Sequence, residues 1–351
     1  MRPARDTLLN PLASLAACTA AGALCSWLRL PLPWMIGPML AMAACNFAGA
    51  GLNAPLGGRP IGQVIIGTAL GMYFTPAVAR EVASLWHILV VAAILAIVIG
   101  ALCGWMLSRL SGADRSTAFF ASIPGGATEM AVLAERYGAR VDHVAFAQSL
   151  RVLLVVIIIP FALTYSGVHG SDFYTPSMAE LDPGKLVVLF ALTAAAGGVL
   201  GVAKLANPFM FGPLILSALL AMADIQFSAM PAPITNAGQL LLGCALGARF
   251  ERRSLGSLPA FAAAVLASVL VAIVLSTLVA FGLSALTGVA FASLVLAVAP
   301  GGIAEMCITA KVLQLGVPVV TAAHVTRVIV LVSATNAIYR AALAVRQRFR
   351  P

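Results

Sequence analysis

Hydrophobic positions fill long runs of this chain, and polar positions collect in the short breaks between them. Twelve apolar segments result, near 12–28, 32–49, 61–78, 86–108, 116–136 and 143–168, then near 186–203, 209–224, 234–249, 258–284, 290–313 and 318–339. Runs of this length and apolarity suit helices whose solvent is lipid. The pattern therefore predicts an all-α integral membrane protein. The longest polar stretch, 169–184, carries Asp172, Glu180 and Asp182 and divides the segments six and six.

Two segments depart from the pattern in the same way. "SIPGGATEM" at 122–130 and "VAPGGIAEM" at 298–306 each set a helix-breaking Pro-Gly-Gly and a Glu inside apolar sequence. They belong to a longer internal repeat. "AAGALCSWLRLPLP" (20–33) aligns with "AAGGVLGVAKLANP" (195–208), and "GQVIIGTALGMYF" (62–74) with "GQLLLGCALGARF" (238–250). Arg151 and Arg327 also correspond. The predicted organisation is a first membrane repeat at 1–168, an acidic external linker at 169–184, and a second membrane repeat with a basic tail at 185–351. Residues 12–28 match an internal stretch, so they read as the first helix of the fold rather than a cleaved signal peptide.

The charges choose among topologies. If all twelve segments cross, Lys and Arg divide 10 inside and 9 outside, with no bias. If the two Pro-Gly-Gly segments dip in and return, each repeat has five crossings plus one hairpin. The split becomes fifteen inside, among them Arg59, Arg109, Arg115, Arg249 and Arg340, against Arg29, Arg80, Lys185 and Lys311 outside. That satisfies the positive-inside rule, with both termini cytoplasmic in the inner membrane. Five crossings invert the second repeat relative to the first. Each hairpin arm, about eight to ten residues or roughly 12–15 Å, reaches the midplane, where two inverted interrupted helices mark secondary transporters. A broken helix that still crosses is the alternative.

Composition agrees and narrows the function. The 351 residues are 61% hydrophobic and 9% charged, with a mean hydropathy of +1.02. The net charge of +9 reflects loop arginines rather than a nucleic-acid surface, since the one basic run is a short tail, Arg346, Arg348 and Arg350. Six cysteines without Cys-x-x-Cys spacing indicate neither a disulfide framework nor zinc. The four histidines, on separate segments, lack metal-ligand spacing. No metal, cofactor or enzymatic activity is expected, and no P-loop suggests direct ATP coupling.

The candidate chemistry sits at the breaks. Pro124, Gly125 and Gly126, and Pro300, Gly301 and Gly302, permit a sharp turn and a new helix start whose free N–H groups favour a polar or anionic group. Glu129 and Glu305 sit where they either cap those N–H groups or meet a substrate, proton or cation. Arg151 and Arg327 lie at midplane depth in the following helix, where a charge needs a partner or a function. The 22-residue spacing from Glu129 to Arg151 and from Glu305 to Arg327 suggests a Glu–Arg pair in each repeat, static or at a transport site. Gln148 and its counterpart His324 precede the arginines by one turn; His324 is either a proton carrier or a hydrogen-bonded core residue. Gln63 and Gln239, in glycine-rich helices, are secondary candidates.

"SIPGGATEMAVLAERYG", "GPML" and the tandem "GQVIIGTALG"/"GQLLLGCALG" resemble the AbrB-type family of bacterial membrane proteins, over roughly residues 12 to 340. The resemblance implies a duplicated membrane domain. Members carry the labels ammonia monooxygenase or regulator of gene expression. The scattered histidines argue against the first, and the second implies an indirect effect, because no DNA-binding domain is evident. The expected function is secondary transport of a small solute through the lipid bilayer. The alternative is a non-transporting membrane regulator, and homo-oligomerisation stays open.

Overall fold

The computed structural model describes residues 4–167, 170, 180–250 and 259–348. Every regular element among them is a helix. The first half contains α1 (Ala4–Trp27), α2 (Pro33–Phe47), α3 (Gly58–Gly71), α4 (Pro76–Ser84), α5 (Trp86–Ser111), α6 (Arg115–Ser122), α7 (Ala127–Arg136) and α8 (Val141–Tyr165). The second contains α9 (Pro183–Val202), α10 (Pro208–Met222), α11 (Ala232–Gly247), α12 (Pro259–Thr287), α13 (Phe291–Val298), α14 (Ile303–Leu313) and α15 (Val317–Arg348). Most of the acidic linker, together with Arg2, Arg252, Arg253 and Arg350, lies outside the described residues.

Local chemistry sets the helix starts. Prolines open α2, α4, α9 and α10, where the missing N–H costs nothing. Asp114 accepts from Thr117 N at 2.8 Å to cap α6, and Asp182 accepts from Gly184 N and Lys185 N to cap α9. The paired residues Leu32 and Asn207, before α2 and α10, share the left-handed conformation at φ 49 and φ 47. The same unusual turn thus recurs at equivalent places in the two halves.

Among the described residues, four helices, α5, α8, α9 and α12, are long and apolar enough to cross a membrane. A fifth span arises if α3 and α4, bent by 89° at their junction, are taken together. This is fewer than the ten long crossings expected. The expected segment 61–78 ends as a helix at Gly71 and restarts at Pro76. Helices α2, α3, α10 and α11 hold only 14–16 residues. At 1.5 Å per residue they reach roughly 21–24 Å, short of a ~30 Å hydrocarbon core. Gly and Pro punctuation inside apolar sequence shortened them, which a count of hydrophobic runs overlooks. The outer surface is nonetheless apolar: Trp27, Trp86, Phe281 and Leu286 are each about two-thirds exposed or more, as lipid-facing side chains would be.

The halves grip each other reciprocally. A Cβ on Gly67 of α3 would lie 2.7 Å from Met210 O of α10, and the counterpart Gly243 of α11 meets Met35 O of α2. Between α3 and α11, Gly62 touches Leu242 while Gly238 touches Ile66, so residue numbers rise along one helix as they fall along the other. Backbones approach this closely only where no side chain intervenes. Each such contact of one half has its exchanged twin in the other.

Candidate functional site

Both Pro-Gly-Gly segments are breaks between two short helices. In the first, α6 stops at Ser122, Ile123 to Gly126 lie outside both helices, and α7 starts at Ala127. In the second, α13 stops at Val298 and α14 starts at Ile303. The N-cap residues Gly126 and Gly302 are extended, at φ −67, ψ 137 and φ −83, ψ 163. Each break therefore leaves carbonyls unsatisfied behind it and N–H groups unsatisfied ahead of it.

The carbonyls are taken up by the helix that follows. Gln148 Nε2 donates to Phe120 O at 2.7 Å and Ile123 O at 3.0 Å. Arg151 Nη1 donates to Ile123 O at 2.8 Å and Nη2 to Gly125 O at 3.3 Å. Arg151 Nη2 also donates to Gln148 Oε1 at 2.7 Å. The second half repeats the arrangement. Arg327 Nη1 donates to Ala299 O at 2.7 Å and Nη2 to Gly301 O at 2.6 Å, while His324 Nε2 contacts Leu296 O at 2.9 Å. A cation at a helix C-terminus also meets the negative end of the helix dipole.

This answers the expectation of a Glu–Arg pair in each repeat. Neither Arg151 nor Arg327 is among the ion pairs of the described residues, which join Asp142 to Arg140 and His143, and Asp182 to Lys185. Their guanidinium groups hold broken-helix carbonyls instead, so matched spacing reflected a shared helix-break scaffold rather than a carboxylate partner. Gln148, Arg151, His324 and Arg327 are each at least 95% buried. His324 makes the contact that Gln148 makes and stands away from the cavity described next.

Glu129 and Glu305 fold back over their own helix starts. A Cβ on Gly126 would overlap Glu129 Oε2, and one on Gly302 would overlap Glu305 Oε2. The fold-back resembles a capping box, yet Glu129 Oε2 is buried without a hydrogen-bond partner. Glycine at these two positions is what leaves the carboxylates room.

A cavity of about 100 Å³ joins the two breaks. It is lined by Gly125, Gly126 and Arg151 from one half and by Gly302 to Glu305 from the other, with Gln63, Asn207, Arg59 and Arg249 on its walls. Gln63 Nε2 donates to Asn207 Oδ1 at 3.3 Å. Pro124, Pro300 and Gly301 pack behind the tips, and Gln239 is buried away from the lining. Sequence reasoning missed Arg59, Asn207 and Arg249 as site residues. The two arginines entered only as loop charges, although each flanks a glycine-glutamine helix. Asn207 stands where the first repeat has Leu32, and a polar residue at a repeat's point of divergence was the available signal.

Fold and site together define a helical protein with membrane-length apolar helices and two interrupted helices around one polar cavity. The family model "Transition state regulatory protein AbrB" matches residues 34–342. The chain belongs to the AbrB family. It is 28% identical to "Uncharacterized protein YhjN" of Bacillus subtilis (strain 168), over 95% of this chain and 94% of that one. It is 25% identical to "Putative regulator AbrB" of Escherichia coli (strain K12), over 80% of this chain and 82% of that one.

Proposed function

We propose that the chain is a secondary transporter of a small solute, built from two inverted repeats that each present a re-entrant Pro-Gly-Gly hairpin. The observation that carries this reading is the single polar cavity shared by both interrupted helices. Several features support it. Reciprocal glycine contacts with opposite senses along α3 and α11 fit an inverted pair. The arms α6, α7, α13 and α14, with 8, 10, 8 and 11 residues, are about 12–16 Å long, so each spans half a hydrocarbon core. Polar irregular backbone inside a membrane is tolerated where it is buried in protein or lines a wet cavity. Arg59 and Arg249 belong to the side that the charge rule assigns to the cytoplasm, so this cavity corresponds to the inward-facing state. In this reading the protein sits in the inner membrane with both termini cytoplasmic, with bilayer lipid around it, and moves its solute unchanged. The "regulator" in one relative's name fits a transporter that sets the level of a signalling solute.

The test is access from two sides. In a background with the six cysteines replaced, Gln63→Cys should react with an impermeant maleimide in inside-out vesicles. It should also react, more slowly, in right-side-out vesicles, as the site opens alternately. Reaction from the cytoplasmic face alone, under every condition tried, marks a static pocket and a non-transporting membrane protein.

A further inference from the structure

We infer that the shared cavity binds a short monocarboxylate anion, with Arg249 and Arg59 as the residues that select it. This deepens the transport reading and rests on the same cavity. The walls present three guanidinium groups, Arg59, Arg151 and Arg249. Among the described residues, the carboxylates within their reach are Glu305, on the wall, and Glu129, whose charge Arg249 feels together with those of Arg59 and Glu305. With Arg327 also near Glu305, the described cations outnumber the carboxylates around the cavity and leave positive charge uncompensated. The helix starts at Ala127 and Ile303 add the positive ends of two dipoles, both behind glycines that line the cavity.

Two further observations point to a ligand rather than to internal pairing. Arg249 is half-buried, yet its side chain makes no hydrogen bond or ion pair among the described residues. Arg151 lines the cavity at 4% exposure, and its buried Nε has no partner. A guanidinium held in a low-dielectric site without a counter-ion is costly unless an anion arrives. Its planar fork matches a carboxylate in two-point fashion, and Gln63 and Asn207 supply neutral hydrogen-bonding groups beside it. At about 100 Å³ the space holds a solute of a few heavy atoms. So small a space favours a short monocarboxylate over a dicarboxylate.

The asymmetry of the walls agrees. In the repeat alignment, Arg59 corresponds to Thr235, Arg249 to Tyr73 and Asn207 to Leu32. Arg151 and Gln63 have counterparts in Arg327 and Gln239, whereas Arg59, Arg249 and Asn207 are not shared by the duplication and so belong to the cavity rather than to the common scaffold.

The experiment is binding, read as thermal stabilisation of the purified full-length protein in detergent at constant ionic strength. Sodium acetate and sodium lactate should raise Tm saturably over a chloride control, whereas malonate and choline should not. Arg249→Gln should weaken the half-saturating acetate concentration by about tenfold or more, with Arg249→Lys in between. The exposed Arg109→Gln should leave it unchanged. If Arg249→Gln fails to fold, acetate protection of Gln63→Cys from maleimide in the otherwise native protein gives the same answer. The inference is overturned by no saturable monocarboxylate effect in either assay, by a saturable effect of choline in its place, or by acetate binding that ignores Arg249. The two readings separate cleanly. Two-sided maleimide access with no anion binding removes the substrate class and leaves transport. Anion binding with one-sided access does the reverse.

Discussion

The two halves of the molecule agree at the helix breaks and disagree around the cavity between them. At the breaks, an arginine nine to ten residues into the following helix holds the turn carbonyls in both halves, and an amide or imidazole one turn earlier holds another. The cavity walls instead use Arg59, Asn207 and Arg249 against Thr235, Leu32 and Tyr73. Duplication kept what makes a broken helix tolerable in an apolar interior, since every unsatisfied carbonyl there is expensive whichever way the repeat points. It did not keep the chemistry of the cavity walls, where Arg59, Asn207 and Arg249 have no polar or charged twin of the same kind.

The largest effect expected from this comparison is at the arginines, and it differs between the halves. Ile123 O accepts from Gln148, Arg151 and Gly125 N, so removing Arg151 orphans one backbone carbonyl, Gly125 O, together with Gln148 Oε1 on a side chain that can turn. Ala299 O and Gly301 O accept the two donors of Arg327 and have no other side-chain donor among the described residues. At about 1–3 kcal/mol per orphaned backbone carbonyl, Arg327→Leu should cost about 2–6 kcal/mol and Arg151→Leu, whose second acceptor is a rotatable amide, about 1–3 kcal/mol. Melting of the detergent-solubilised variants reads the difference. Equal losses would show that the guanidinium groups act through charge alone and that the carbonyl contacts are incidental. Lys at either position should recover only part, because one ammonium does not reproduce the two-pronged reach.

Much of this was legible in the sequence, and the part that was not has a physical cause. The duplication, the helical class and the two breaks followed from hydrophobic runs interrupted by Pro-Gly-Gly, because that signal is local. Burial of Gln148, Arg151, His324 and Arg327 was also foreseeable, from polar residues set deep in apolar helices. Their partners were not. A charged residue at membrane depth announces a need for compensation without saying whether a carboxylate or a row of backbone carbonyls supplies it. The split of segment 61–78 at Gly71 to Pro76, and the presence of Arg59 and Arg249 in the cavity, depend on how α3 and α11 cross, which no single segment encodes.

A smaller effect is expected where the halves use different residues for one task. The contact of His324 with a carbonyl requires a hydrogen on Nε2, which leaves Nδ1 a buried acceptor without a partner. Gln148 avoids this by turning Oε1 to Arg151. His324→Gln should therefore be neutral or stabilising by about 1 kcal/mol, with acetate binding unchanged. His324→Leu should lose about 1–3 kcal/mol, as Leu296 O is left alone. A loss with Gln as large as with Leu would show that the imidazole does something an amide does not, and would restore His324 as a proton carrier.

The smallest effect comes from a place where the halves differ for no packing reason. Gly197 and Gly198 of α9 align with Gly22 and Ala23 of α1. A Cβ on Gly197 would lie 3.0 Å from the Phe209 ring, and one on Gly22 would lie 2.8 Å from the Trp34 ring, so both halves need glycine there. At Gly198 a Cβ would meet nothing within 4 Å, and the residue lies inside a regular helix with no left-handed φ to preserve. Glycine in such a position costs about 0.5–1 kcal/mol relative to alanine, through backbone entropy that folding must remove. Gly198→Ala copies the first half into the second and should stabilise by about that amount. Gly197→Ala should destabilise instead, because a ring must shift. Melting temperatures measured side by side decide it. A loss at Gly198 would mean that the open space beside α9 is filled in the membrane, by lipid or by a second copy of the chain packed against its glycine face.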